Sequence, residues 1–305
     1  MADETVTIDG RVVGFADYGP CDGVPVLWCH GGPGSRLEPA PLADAAAAAG
    51  LRLIGIDRPG YGMSTPLPGR TIAGWVGDAL AVADSIDIER FAAVGESTGG
   101  AYALALAARA RERVLGVVAC CAMTDMRCDE CRSTMSSLHA HAVWDAADRD
   151  AAITAALEAH GENGSRMVEM AAQLPPSDAA LFTDPVWLAS MRAEAVPAMF
   201  AFGFEGYADD RIADKPGWVD FDVSTISCRV IVLHGSEDVI CDPRQARHTS
   251  ELVPGAELRI VDGLGHFSIV KQIVPALVDL LGRTSGAPLD GALHTTRTRI
   301  GPALL

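Results

Sequence analysis

Residues 95–99 read Gly-Glu-Ser-Thr-Gly and place a serine midway between two glycines. An apolar run of strand length, residues 91–94, precedes them, and an Ala- and Leu-rich stretch of helical character follows. This is the spacing of a nucleophile elbow, in which a tight turn between a strand and a helix exposes a serine hydroxyl. A side chain at Gly95 or Gly99 would collide with such a turn. The motif therefore predicts that Ser97 is a nucleophile.

Two further loops supply the residue types that a serine needs in order to react. Serine is a weak nucleophile until a histidine takes its proton, and a carboxylate then fixes the tautomer of that histidine. Asp238 comes just beyond the apolar run 229–233, and His266 follows the run 257–261 on a glycine-rich loop. The chain order Ser97, Asp238, His266 is the one expected for this elbow type. We predict that these residues form a catalytic triad.

A fourth motif, His-Gly-Gly-Pro-Gly at residues 30–34, follows another apolar run. Its glycines allow backbone N–H groups to approach a substrate oxygen without obstruction. The tetrahedral intermediate of acyl transfer needs two such donors, and loss of one lowers turnover by about a hundredfold or more. We assign them to the N–H groups of Gly32 and Thr98. The alternative is a simple glycine-rich turn or a phosphate loop, although the motif lacks the G-K-[ST] of a phosphate loop.

The elements that must position these residues alternate between strand and helix. Residues 6–8 and 11–15 are expected to pair as a hairpin across the turn Asp9-Gly10. The remaining strand-like runs are 25–29, 51–56, 91–94, 114–118, 229–233 and 257–261, with helical stretches near 42–49, 72–86, 244–252 and 269–281. This alternation predicts an α/β fold with a mostly parallel sheet flanked by helices and with functional loops at the carboxyl ends of its strands.

The pattern divides the chain into an α/β core, an insertion and a tail. Residues 1–122 and 228–282 carry the core pattern, whereas residues 123–227 are too long for a loop and are expected to form an inserted helical cap. We refer to residues 123–227 as the cap segment. Residues 283–305 are polar and are expected to form a flexible tail, so His294 is not assigned a catalytic role.

The cap segment is rich in methionine and aromatic residues. These are Met135, Trp144, Met167, Met170, Phe182, Trp187, Met191, Met199, Phe200, Phe202, Phe204 and Tyr207. They have two interpretations: they line an adaptable apolar substrate pocket, or they pack as the core of the cap itself. For any one residue the second interpretation is favoured.

Composition restricts the possible partners. The 305 residues, 49% of them hydrophobic, suffice for one large globular domain or for a core with an inserted subdomain. A net charge of −16 disfavours nucleic acid and anionic membrane surfaces as partners. The first residues lack the pattern of a signal peptide, and we expect a cytoplasmic protein that acts on a small-molecule ester. The sequence does not indicate an oligomeric state.

Eight cysteines do not form a disulfide scaffold in a chain of this length, and we expect most of them to be reduced and buried. Cys128 and Cys131 have C-x-x-C spacing, which suggests a redox pair or half of a zinc site. No second C-x-x-C occurs, and the local sequence is unlike a thioredoxin motif. We therefore predict neither a metal nor a redox function for them.

Together these motifs resemble the α/β-hydrolase superfamily over about residues 6–281. Residues 57–64, Asp-Arg-Pro-Gly-Tyr-Gly-Met-Ser, are similar to the loop after its fourth strand, which we interpret as structural. The resemblance implies an eight-stranded sheet, a helical cap after the sixth strand, the triad named above, and neither metal nor organic cofactor. It also offers Asp125 as an alternative acid, because some members carry theirs after the sixth strand, although Asp238 matches the more common position.

The motifs define the branch of the superfamily less sharply than the superfamily itself. Residues 30–34 look like those of proline iminopeptidases, but Glu96 and Thr98 depart from the Gly-Gly-Ser-Trp-Gly elbow usual there. Residues 97–100 are similar to cofactor-free haloperoxidases or perhydrolases, whose oxyanion loop usually has an aromatic residue in place of Gly32. A serine nucleophile argues against haloalkane dehalogenases and most epoxide hydrolases. We predict hydrolysis of esters with small or medium apolar acyl groups through an acyl-enzyme; lactone or C–C bond hydrolysis and a non-catalytic small-molecule receptor remain open.

Overall fold

The computed structural model describes residues 2–135, 138–166, 173–185, 188 and 195–282. Eight strands form one sheet in the order β1-β2-β4-β3-β5-β6-β7-β8. The strands are β1 (Ala2–Ile8), β2 (Arg11–Tyr18), β3 (Val24–Cys29), β4 (Leu51–Ile56), β5 (Phe91–Glu96), β6 (Val114–Cys120), β7 (Arg229–Gly235) and β8 (Glu257–Val261). β2 pairs antiparallel with β1 and β4, and every other pairing is parallel. The predicted α/β fold with its opening hairpin is confirmed.

Helices cover both faces of the sheet and fill the described part of the cap segment. They are α1 (Ala43–Ala48), α2 (Val76–Ser85), α3 (Gly99–Arg109), α4 (Asp129–Ser133), α5 (Leu138–Trp144), α6 (Arg149–His160), α7 (Pro176–Ala179), α8 (Val196–Met199), α9 (Glu205–Asp214), α10 (Pro243–Leu252) and α11 (Ile273–Leu280). A 3-10 turn, Ser268–Gln272, leads into α11. Within the described part of the chain, every helix is too short or too polar to cross a bilayer.

The sheet separates two apolar cores because successive side chains of a strand point to opposite faces. In β3, Leu27 packs with the buried residues of α2 and α3 on one face, whereas Val26 and Trp28 pack with α1 and α11 on the other. The side chains of β5 are all buried, and β5 lies between β3 and β6 in the middle of the sheet. The loops after these parallel strands therefore meet at one edge.

The described residues of the cap segment contribute to two apolar clusters, which also contain Tyr61 and Cys241 from outside this segment. Phe200, Phe204 and Tyr207 are buried together, and Met135 and Trp144 belong to a second cluster. These residues pack as a core, in agreement with the interpretation that was favoured for single residues. Predicted positions that lie outside the described residues are Met167, Met170, Trp187, Met191 and the tail 283–305 with His294. The boundaries of the cap segment stay a prediction.

Candidate active site

Ser97 lies at the turn between β5 and α3 with a φ of +52°. A non-glycine residue adopts such a positive φ rarely, and it does so mostly where the surrounding structure enforces it. Here the Ser97 N–H donates to the carbonyl of Cys120 at 2.9 Å. A Cβ added to Gly95 would overlap the backbone of Gly99, and one added to Gly99 would overlap the carbonyl of Cys29. Both glycines are therefore required by the close approach of α3 to β5 and β3.

Substitution of Gly99 by alanine is expected to destabilise the protein by about 2 kcal/mol or more, because the new methyl group would meet backbone atoms that have no rotamer to change. Urea unfolding of the wild type and Gly99→Ala measures this difference. Gly77→Ala is the matched control, since a Cβ at this exposed position of α2 has no neighbour within 4 Å. Equal stability of Gly99→Ala and the wild type would refute the elbow geometry.

Asp238 and His266 form a buried hydrogen-bonded pair at the edge where β7 and β8 end. His266 Nδ1 lies 2.8 Å from Asp238 Oδ2. The other oxygen, Oδ1, accepts from the N–H groups of Ile240 at 2.9 Å and Cys241 at 2.8 Å. His234 Nε2 also lies 3.1 Å from Oδ2. The carboxylate is therefore surrounded by donors, which favour its ionised form.

These contacts set the charge of both partners. Burial alone would raise the pKa of Asp238, but His266 and His234 outweigh it and hold this pKa well below its usual range. Burial alone would lower the pKa of His266, but the charge and hydrogen bond of Asp238 outweigh it and raise this pKa above 6.5. The pair thus consists of an ionised carboxylate and an imidazole whose pKa is raised above its ordinary value.

Cys241 links Ser97 to this pair. The Ser97 side chain lies close enough to the Cys241 thiol to lower its pKa, against burial and Asp238, which raise it, and the Cys241 N–H donates to Asp238. Among the described residues no hydrogen bond joins Ser97 to His266. Catalytic hydrogen bonds in ligand-free structures are often long and tighten when substrate binds. A proton transfer from Ser97 to His266 would require the Ser97 hydroxyl to approach His266.

The two predicted oxyanion donors lie beside each other. A Cβ built on Gly32 would be 2.7 Å from Thr98 Oγ1, which brings the loop after β3 against the elbow. Neither the Gly32 N–H nor the Thr98 N–H donates to an acceptor within the described part of the chain. Both donors are thus uncommitted, as an oxyanion hole requires.

The loop after β3, which carries the predicted oxyanion donor Gly32, is held in place by a buried arginine. The guanidinium of Arg58 donates to the carbonyls of His30 and Gly31, the latter at 2.6 Å, and pairs with Asp210 of α9 at 2.8 Å. Burial and the nearby Arg58 lower the pKa of His30, which favours the neutral ring. In this form Nδ1 donates to the Gly31 carbonyl, and Nε2 accepts from the backbone N–H of Arg58. The predicted structural role of residues 57–64 thus includes support of this loop.

A pair of carboxyl groups joins the same loop to the elbow. Glu96, the buried residue before Ser97, is hydrogen-bonded to Glu38. Glu38 in turn accepts from the Gly31 N–H at 2.9 Å and from Trp28 Nε1 at 2.8 Å. Burial and the proximity of Glu38 raise the pKa of Glu96 well above its usual range, which favours a protonated Glu96 that donates to Glu38. Neither residue was singled out as functional by the sequence motifs.

A cation of the cap segment lies next to Thr98. The buried guanidinium of Arg211 on α9 donates to Thr98 Oγ1 at 2.6 Å and pairs with Asp214 at 2.8 Å. A positive charge in this position would favour negative charge on an oxygen bound beside Gly32 and Thr98. No local pattern in the sequence indicates this contact, which joins residues 113 positions apart.

Asp125, the alternative acid, lies away from the histidine. Its carboxylate accepts from the Arg127 side chain at 2.9 Å and from the Trp218 N–H at 3.2 Å. Burial opposes its ionisation, but Arg127 outweighs this effect and lowers the pKa of Asp125. Asp238, rather than Asp125, is therefore the carboxylate positioned to orient His266.

Cys128 and Cys131 are joined as a disulfide at the start of α4, whereas the other six cysteines are free. The expectation of mostly reduced cysteines holds outside this pair. His248 lies beside the two sulfur atoms. While the sulfurs are bonded to each other they provide no thiolate ligand, and His248 is then the remaining donor of this cluster.

Known proteins share both the sequence pattern and the fold. A family-wide profile of the α/β hydrolase fold matches residues 24–272. The chain is 28% identical over 267 residues to a 2-hydroxymuconate semialdehyde hydrolase from Pseudomonas putida, and this match covers 82% of the chain and 83% of the relative.

Two solved structures illustrate the shared fold. The enol-lactonase from Burkholderia xenovorans LB400 superposes with a TM-score of 0.65 at 20% identity, covering 92% of this chain and all of that one (100%). The esterase RhEst1 from Rhodococcus sp. ECU1013 gives a TM-score of 0.61 at 21% identity, covering 92% of this chain and 99% of the other. At these identities the likeness shows the fold and does not extend to the substrate.

Proposed function

Because the chain belongs to the α/β-hydrolase family, we propose that it is a serine hydrolase that cleaves carboxylic esters of small or medium apolar acyl groups. The observation that carries this proposal is the buried 2.8 Å contact between Asp238 and His266, linked through Cys241 to Ser97 at the elbow. An ionised carboxylate, an imidazole and a hydroxyl on a strained turn are the groups that nucleophilic acyl transfer needs.

In the proposed reaction, His266 Nε2 takes the proton of Ser97 while the Ser97 oxygen attacks the ester carbonyl. The N–H groups of Gly32 and Thr98 donate to the oxyanion of the tetrahedral intermediate. The intermediate collapses when His266 gives its proton to the leaving alcohol, which produces an acyl-enzyme. His266 then deprotonates a water that attacks the acyl group, and Ser97 is released. Throughout, Asp238 holds the Nδ1–H of His266 and stabilises the imidazolium.

The surroundings of Ser97 support an apolar acyl group. Met123 donates its N–H to the Ser97 carbonyl at 3.2 Å, and the Met123 side chain is buried in one cluster with Met135, Trp144 and Cys241. Thioether and aromatic side chains adapt to apolar ligands of different shape. An acyl chain bound at Ser97 would therefore meet the apolar side chains of Met123 and Cys241, beside the Arg211 guanidinium that contacts Met123 Sδ.

A substrate panel tests the proposal. We expect turnover of p-nitrophenyl esters, with a preference for short or medium acyl chains, and little turnover of a γ-lactone, 2-hydroxymuconate semialdehyde or proline p-nitroanilide. Faster turnover of one of the last three would replace ester hydrolysis with that reaction. If no compound of the panel is turned over by folded protein, the proposal fails in favour of a receptor function.

The pH dependence of kcat/KM is expected to show an acid limb with an apparent pKa above 6.5. His266 has to be neutral to accept the proton of Ser97, and the neighbouring Asp238 raises the pKa of His266 above its ordinary value of 6.5. Activity therefore falls as the pH falls through this raised pKa. Initial rates from about pH 5 to pH 9 measure the limb. A limb well below pH 6.5 would contradict the proposed role of His266.

A further inference from the structure

A buried carboxylate of the cap segment contacts the loop that carries His266. Asp178, on the short helix α7, is 0% exposed. Its Oδ1 accepts from the Phe267 N–H at 3.2 Å, from the Ser268 N–H at 2.8 Å and from the Ser268 hydroxyl at 2.7 Å. Three donors from two consecutive residues of the His266 loop thus converge on a single oxygen, Asp178 Oδ1.

These contacts fix the turn that begins at His266. The Ser268 hydroxyl donates to Asp178 and accepts the Gly265 N–H at 2.8 Å, so the residues on both sides of His266 are tied to this carboxylate. A Cβ on Gly265 would overlap the Asp178 carboxylate, which shows how closely the cap approaches. The ring of Phe182 also packs edge-on against Phe267, with 5.2 Å between ring centroids.

The same carboxylate acts on His266 through its charge. Burial lowers the pKa of His266, and three carboxyl groups from different elements oppose burial: Asp238 after β7, Asp178 of the cap and Glu38 after β3. Asp238 makes the direct hydrogen bond and shares its Oδ2 with His234. Asp178 is the group contributed by the cap, and its Oδ2 has no hydrogen-bond partner among the described residues.

We propose that Asp178 is a positioning residue for the reaction: it holds the loop of His266 in its working orientation and favours the imidazolium that forms during catalysis. This inference rests on the proposed serine hydrolase function. It makes the cap a part of the catalytic apparatus, because movement of α7 away from the core would remove both the loop anchor and the charge. Outer contacts of this kind typically change activity by about 10- to 100-fold when they are removed.

Two substitutions separate the two effects. Asp178→Asn keeps a carbonyl oxygen for the three donors and removes the charge, whereas Ser268→Ala keeps the charge and removes one donor. We expect Asp178→Asn to lower kcat about tenfold with KM within about twofold, and to shift the acid limb to lower pH. Ser268→Ala should lower kcat without moving that limb. Glu158→Gln, at an exposed position of α6 in the cap segment, is the matched control and should behave as the wild type.

A titration of His266 by NMR decides the proposal without any substrate, with its signal assigned from His266→Gln. We expect the Asp178→Asn ring to titrate at lower pH than the wild-type ring, in protein that melts cooperatively. Coincident titration curves would overturn the proposal and leave Asp178 a purely structural contact. If the wild type hydrolyses no ester but the titration shifts, the proposed function fails while the contact between Asp178 and His266 stands.

Discussion

Replacing Ser97 by alanine is expected to lower kcat/KM for p-nitrophenyl ester hydrolysis by about 10⁴- to 10⁶-fold. Alanine lacks the oxygen that forms the acyl-enzyme, and neither His266 nor Asp238 offers a substitute nucleophile in the same place. The donors of Gly32 and Thr98 remain, and they account for a small residual rate through the direct attack of water.

The substitution removes a single atom, so a loss of activity reports on chemistry rather than on folding. Ser85→Ala is the matched control: it makes the same change in α2, where the hydroxyl donates to the Val82 carbonyl. Circular dichroism and thermal melting should show both variants folded. Retention of more than about a tenth of the wild-type kcat/KM by Ser97→Ala would exclude the acyl-enzyme mechanism.

The second large effect is expected for Asp238→Asn, which should lower kcat by about 10³- to 10⁴-fold. Oδ1 of Asp238 faces the N–H groups of Ile240 and Cys241, so the amide oxygen of asparagine has to remain there. The new NH₂ group then faces His266 Nδ1 and cannot accept from it. His266 therefore takes the tautomer with its proton on Nε2, the nitrogen that should receive the proton of Ser97.

Asp125→Asn is the comparison variant for Asp238→Asn, because Asp125 is the alternative candidate for the acid. Asp125 is paired with Arg127 and makes no hydrogen bond to His266 in the described part of the chain, so kcat should stay within about threefold of the wild type. Comparison of the two variants at saturating substrate assigns the acid. A severe loss in Asp125→Asn together with an active Asp238→Asn would reverse the assignment.

The sequence was sufficient to predict the sheet and the loops that meet at its edge. Runs such as 91–94 and 229–233 are apolar because their strands are buried on both faces, and a parallel sheet brings the loops after them together. The requirement for glycine at position 95 is local as well, since a Cβ there would overlap the backbone of Gly99 in the same turn, whereas a Cβ on Gly99 would meet the carbonyl of Cys29 on the neighbouring strand. Features that depend on residues close together in the chain can be predicted without a structure.

Contacts between segments that are far apart in the chain could not be predicted from the sequence. Asp178 lies 90 positions from Ser268 and Arg211 lies 113 from Thr98, and no spacing rule connects such pairs. A charged residue in an amphipathic helix is typical of a solvated surface, and only the packing of the cap shows that these charges are buried. The proximity of the Ser97 side chain to Cys241 likewise depends on tertiary packing and not on the elbow motif.

The cap segment limited the substrate prediction for the same reason. Phe200, Phe204 and Tyr207 were compatible with a pocket wall as well as with the favoured small core, because both environments select large apolar side chains. In the structure they pack on one another. The apolar residues that contact the elbow, Met123 and Cys241, lie instead at the junctions between the strands of the core and the following segments.

Reaction of the folded protein with a fluorophosphonate, followed by peptide mass spectrometry, tests the central claim most directly. A fluorophosphonate phosphonylates a serine only where a base activates the hydroxyl and an oxyanion hole receives the P–O⁻ group. We predict a single phosphonyl group on Ser97, no labelling of Ser97→Ala and much slower labelling of His266→Gln. Folded wild-type protein that stays unlabelled, or that carries the label on another residue, would contradict the assignment of Ser97 as an activated nucleophile.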